Sequence, residues 1–169
     1  MRQPAPGQLE IELRTLQAGD EAFALEVFES TRERERQAIP WSEGEWASFI
    51  ETQFAAQCHH YSTHFPGSEH LMIVADGRPV GRAWVWRSQQ EIRLIDIAIL
   101  PEHRSQGIGT HIIKDLQEEA GASGRPVRHS VELENPRARA LYERLGFAPT
   151  ETKGLHTLME WRPSSQTGT

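Results

Sequence analysis

The residues of this chain whose types and spacing suit chemistry centre on Arg104-Ser105-Gln106-Gly107-Ile108-Gly109. An apolar run, Leu94 to Leu100, stops at Pro101; a short charged loop follows, then two glycines one residue apart, then a helical pattern. A helix N-terminus offers free backbone N–H groups and a partial positive charge. Glycines let a phosphate approach those groups without meeting a Cβ. The stretch therefore reads as a pyrophosphate seat. Asp96 interrupts the apolar run, and a carboxylate there needs a partner. It reads first as a structural hydrogen-bonding group and second as a catalytic one. His60 and His64 stand at metal-ligand spacing, but no Glu-x-x motif frames them and no carboxylate cluster adjoins, so no metal site is assigned.

Positioning that loop requires a particular order of elements. Leu9 to Leu16 alternates as a strand does. Asp20 can cap a helix carrying Phe23, Ala24, Val27 and Phe28, which runs on into the alternating charges of Thr31 to Arg36. Ser42 and Glu45 form a capping box before a helical stripe from Trp46 to Phe65. Strands at 71–75 and 80–86 flank an Asp76-Gly77 hairpin signal, and 91–100 is the central strand. A helix over 108–120, a strand at 127–133 and a helix opened by Asn135 and Pro136 follow. A hairpin over 147–161 closes the pattern. The hairpins imply antiparallel pairing, and the strand–helix–strand over 94–133 implies one parallel crossover. The fold class is α/β: a mixed, mostly antiparallel sheet with flanking helices.

At 169 residues the chain fits one domain. A loose N-terminus at 1–8, a domain at 9–162 and a disordered tail at 163–169 are expected. Hydrophobic content of 37% and charged content of 25% are ordinary for a soluble globular protein. The net charge of −6 argues against a nucleic-acid partner. One cysteine, Cys58, excludes an internal disulfide and a cysteine metal cluster. No signal peptide or membrane span is visible, so the chain reads as cytoplasmic with no membrane partner.

The loop lacks the lysine and spacing of a Walker A motif, and Ile112 stands where a dinucleotide fingerprint needs its third glycine. What it matches is Arg-x-x-Gly-x-Gly after a strand and before an amphipathic helix. Downstream, Asn135 to Phe147 reads Asn-x-x-Ala-x-x-Leu-Tyr-x-x-x-Gly-Phe. Together these resemble motifs A and B of the GNAT N-acetyltransferase superfamily, over residues ~70–160.

The resemblance implies an acetyl-CoA-dependent N-acetyltransferase, with acetyl-CoA as co-substrate and a primary amine of a small molecule or protein as acceptor. It implies a central parallel strand pair that splays to admit the pantetheine arm. Backbone groups of Ile97 and Ile99 would pair with that arm. Backbone N–H groups of Arg104, Ser105, Gln106, Gly107, Ile108, Gly109 and Thr110 would hold the pyrophosphate. Asn135 would contact the arm near the thioester, and Tyr142 would protonate the departing thiolate. Independently, Asn135, Ala138 and Tyr142 share one helix face, where Ala138 leaves room. Many relatives carry a glutamate five residues before the asparagine; here that position is Ser130. Asp96 and Glu132 are the nearby candidates for the base.

The segment 20–66 corresponds to the family's variable, substrate-side part. Arg32, Glu33 and Arg36 could line an acceptor pocket there, with Trp41 as a wall, against the simpler readings of a solvated charged face and a core aromatic. Splayed strands leave an edge at which two copies could pair as a homodimer. The alternative from another class is a non-catalytic acyl-CoA-binding or interaction module on the same fold.

Overall fold

The computed structural model describes residues 7–165. Most of the expected loose N-terminus, at 1–6, and the end of the expected tail, at 166–169, lie outside the described residues; 163–165 carry no regular structure. The strands are β1 (Ile11–Thr15), β2 (Glu69–Ala75), β3 (Arg78–Arg87), β4 (Ile92–Ile99), β5 (Val127–Glu132), β6 (Ala148–Lys153) and β7 (His156–Trp161). The helices are α1 (Glu21–Ser30), α2 (Glu33–Ala38), α3 (Glu43–His64), α4 (Ile108–Ser123) and α5 (Pro136–Arg144). The seven strands order as β1-β2-β3-β4-β5-β7-β6. The β4–β5 pair is parallel, while β1–β2, β5–β7 and β6–β7 are antiparallel. The mixed, mostly antiparallel α/β sheet read from the sequence is therefore present.

The chain forms two compact units: one runs to Trp84 and includes Ile97–Ile108, and the other holds Val85–Asp96 with Gly109 onward. In the first, Phe28, Trp46 and Ile50 form a cluster with Trp41, Phe49 and Phe54 against it. Val27, Ala98 and Leu100 form another. Asp76 (φ 48°) and Gly77 (φ 76°) make the β2–β3 turn that Asp-Gly signals. Gly81 has a different reason: a Cβ there would stand 2.3 Å from the Ala98 carbonyl oxygen. In the second unit Ile112, Ile113, Leu116 and Ala120 bury one face of α4, as their spacing requires. No described helix is long and apolar enough to cross a membrane.

Two local expectations fail for identifiable reasons. Asp20 makes no side-chain cap to α1. Its carboxylate instead takes the Arg14 guanidinium at 2.6 Å and the Gln17 backbone N–H at 2.8 Å. The helix expected to run through Arg36 divides into α1 and α2 at Thr31 and Arg32. Ser30 and Thr31 hydroxyls donate to the Val27 and Phe28 carbonyls, the back-bonding that competes with helix propagation. In α3 the capping box forms as read, with Glu45 N–H donating to Ser42 Oγ and Ser42 N–H to Glu45 Oε2. Its apolar stripe is buried only at Trp46 and Ile50.

Candidate active site

In the first unit, β4 ends in a 3₁₀ turn at Pro101–His103, and Ile108 opens α4. Between them Ser105 (φ 61°) and Gly107 (φ 79°) take left-handed conformations, which turn the chain sharply into the helix. Arg104 to Gly107 are exposed, while Ile108 is buried and pins the helix start. The Arg104 Nε–H donates to the Ile99 carbonyl at 2.8 Å. The first unit also carries a cleft of about 510 Å³, lined by Glu26, Glu29, Glu33, Glu102, Arg36 and Arg104 among others. Of the sequence-chosen acceptor residues, Glu33 and Arg36 line it. Arg32 instead lies over the Phe28 ring at 4.7 Å. Trp41 packs on Trp46 and Phe49, its indole N–H donating to the Glu35 carbonyl.

In the second unit, β4 and β5 begin as neighbours and then stop pairing. Ile92 faces Val127 and Arg93 faces Arg128, and the register ends there. Beyond that point β5 is held by β7, with His129 opposite Met159 and Glu132 opposite His156. At the closed end of the opening, His129 Nδ1 lies 2.7 Å from the Leu94 carbonyl oxygen. A carbonyl only accepts, so Nδ1 carries the proton and the neutral ring keeps Nε2 as an acceptor. The His129 ring packs against Tyr142, centroids 4.7 Å apart. Tyr142 is buried and meets Phe147 edge-on at 5.2 Å.

Electrostatics bind these groups together. Burial, with the negative charge of Asp96 adding to it, pushes the Tyr142 phenol above its ordinary range. It therefore keeps its proton at neutral pH. Burial lowers the His129 imidazole from 6.5; Leu94 and Asp96 oppose that shift, while Arg93 and His156 reinforce it. Asp96 is thus close to both rings. Glu132 is exposed and, by strand alternation, on the opposite face of β5 from His129. Asn135 caps α5, accepting from the Ala138 N–H at 3.0 Å. Sequence reasoning missed His129. Its signal was a lone imidazole between Val127 and Val131 on the buried face of a strand, two residues from each.

A family profile described as Acetyltransferase (GNAT) family matches residues 26–147. The chain belongs to the GNAT acetyltransferase family. Among relatives, a Bacillus subtilis protein with the assigned name ribosomal protein bS18-alanine N-acetyltransferase is 28% identical over 108 residues, 62% of this chain and 70% of that one. PaiA N-acetyltransferase from Thermoplasma acidophilum, solved in complex with coenzyme A, superposes with a TM-score of 0.67 at 21% identity. The match covers 90% of this chain and 99% of that one. YncA from Salmonella typhimurium, solved with its cofactor acetyl-CoA, gives 0.55 at 20% identity, covering 94% and 96%. Among the described residues no group of three or more His, Cys, Asp or Glu is placed to hold a metal.

Proposed function

We propose that this GNAT protein moves the acetyl group of acetyl-CoA directly to a primary amine. The observation that carries the reading is the β4–β5 register, which ends after two residue pairs. Beyond those two pairs no further β4–β5 register forms, which suits an added, strand-like arm, and the glycine loop follows β4 in the chain. In this reading the N–H groups of Arg104 to Thr110 hold the pyrophosphate. Backbone groups at Ile97 and Ile99 hold the pantetheine arm. The Arg104–Ile99 bond must then open, freeing a guanidinium for phosphate. Asn135 contacts the arm near the thioester. Residues 9–162 work as one catalytic domain, with 20–66 on its acceptor side.

The reaction is a direct displacement. The neutral amine attacks the thioester carbonyl, backbone N–H groups stabilise the oxyanion, and Tyr142 donates its proton as the C–S bond breaks. A phenol kept protonated by burial fits that donor role. The net charge of −6 mildly favours a cationic or neutral acceptor. The Bacillus subtilis relative adds support for a protein N-terminal amine as that acceptor. Isothermal titration with acetyl-CoA tests the reading: saturable binding is expected, and no heat at millimolar cofactor would sink it. Acetylation of alanine-initiated peptides set beside polyamines then separates the acceptor classes. Faster turnover of polyamines would reject the peptide assignment.

A further inference from the structure

Direct displacement requires a group that takes the proton lost by the amine. We propose that His129 accepts that proton at Nε2, with the Leu94 carbonyl fixing the ring in its Nδ1–H tautomer. The proposal rests on the acetyltransferase reading.

Three observations converge on this ring. It sits where β4 and β5 part, one residue beyond the last paired position, Arg128. This is the closed end of the opening beside β4. Its Nδ1 is committed to Leu94 at 2.7 Å. With Nδ1 carrying the proton, Nε2 keeps its lone pair and is the ring's one acceptor. Finally, the ring touches Tyr142, the proposed proton donor, in a tilted stack. The titratable and charged groups around it are Arg93 and Asp96 on β4, Tyr142 on α5 and His156 on β7.

The protons balance. The amine nitrogen bonds to the acetyl carbon and becomes a strongly acidic ammonium in the tetrahedral intermediate, so a weak base suffices. Its proton passes to His129 Nε2. The C–S bond breaks as the Tyr142 hydroxyl proton goes to sulfur. The imidazolium then loses one proton and the phenolate gains one, restoring both groups. Asp96 stabilises the transient imidazolium from β4, a positioning role. Glu132, on the other face of β5, takes no part.

Two measurements test this. Long-range ¹H–¹⁵N spectra of the free wild-type protein should show a neutral Nδ1–H ring at pH 7, titrating below 6.5. An Nε2–H tautomer or a charged ring at pH 7 overturns the proposal whether or not the chain is a transferase. In the second, kcat is followed against pH at saturating acetyl-CoA and amine. Wild type should be flat above about pH 6.5 and fall below it as the base is protonated. His129→Asn keeps a donor near the Nδ1 position for Leu94 but no base. It should lower kcat about 100-fold and abolish the acid limb, with acetyl-CoA affinity within about twofold. A loss under about threefold, or an acid limb that survives the substitution, overturns the assignment. Wild type that binds no acetyl-CoA removes the acetyltransferase reading instead.

Discussion

Tyr142 is a single side chain placed to give two different results to two different measurements. The hydroxyl is lost in Tyr142→Phe while both ring contacts, to His129 and Phe147, are kept. Turnover should fall about 10- to 100-fold, with little change in acetyl-CoA affinity, since the proton is needed only as the thiolate departs. An unchanged kcat rejects the donor role. His70 makes a second residue-scale prediction, this one about stability. Burial first, and then the neighbouring Arg82 guanidinium, lower it from 6.5 to about 4. Arg82 Nη1 lies 3.3 Å from its Nε2, which must stay unprotonated to accept, and Trp84 stacks on the ring at 4.3 Å. The unfolded chain then binds a proton at His70 before the folded one does, so stability increases with pH between these values. The contribution is complete above about pH 6.5 and drains away as pH falls toward 4. Thermal melts across that window should show the slope, and His70→Gln should flatten it. A slope unchanged by the substitution assigns the effect elsewhere.

At the scale of elements, α3 and β3 depend on two local devices. The α3 capping box satisfies two backbone N–H groups reciprocally. Ser42→Ala should cost about 1 kcal/mol by chemical denaturation, and a cost near zero would mean the first turn finds other partners. Gly81 stands where β3 passes so close to Ala98 that a methyl group would meet backbone, not a yielding side chain. Gly81→Ala should cost about 2–3 kcal/mol, as overpacking does. A neutral result would show that β3 can slide. The helix break at Thr31 and Arg32 belongs to the same scale. It returns α2 over α1, where Arg36 Nη1 meets Glu29 Oε1 at 3.2 Å and lies over the Trp46 ring. The acidic cleft owes its one α2 cation to that return.

For the whole molecule, ligand linkage reads the function without any acceptor. A ligand at about 100 times its Kd stabilises the fold it binds by about 2.7 kcal/mol. For a chain of this size that is a rise of about 5–10 °C in Tm. Acetyl-CoA should produce that rise, and an absent shift at millimolar concentration argues against cofactor binding. The non-catalytic alternative predicts the same rise with no product in any amine panel, so turnover is the measurement that separates the two.

Much was legible in the sequence because it is written in short-range rules. Helix periodicity, the Ser42–Glu45 box, the Asp76-Gly77 turn, the loop glycines and the Asn135–Phe147 pattern each act within a few residues. Those rules placed the strands and α3, α4 and α5 in their order. They overran the α1–α2 break, where hydroxyl back-bonding competes with a continuing charge pattern. They also gave Asp20 to the wrong partner, because Arg14 reaches it from the preceding strand. Only the tertiary structure could decide where β4 and β5 stop pairing, since strand register depends on residues about 35 positions apart. Asp96, Glu132 and His129 are alike in sequence as ionisable residues in strands; across the sheet the Leu94 carbonyl holds the His129 ring, while Glu132 lies on the other face of β5. The loop, the cap and the phenol were determined along the chain, whereas what surrounds the phenol was determined across the sheet.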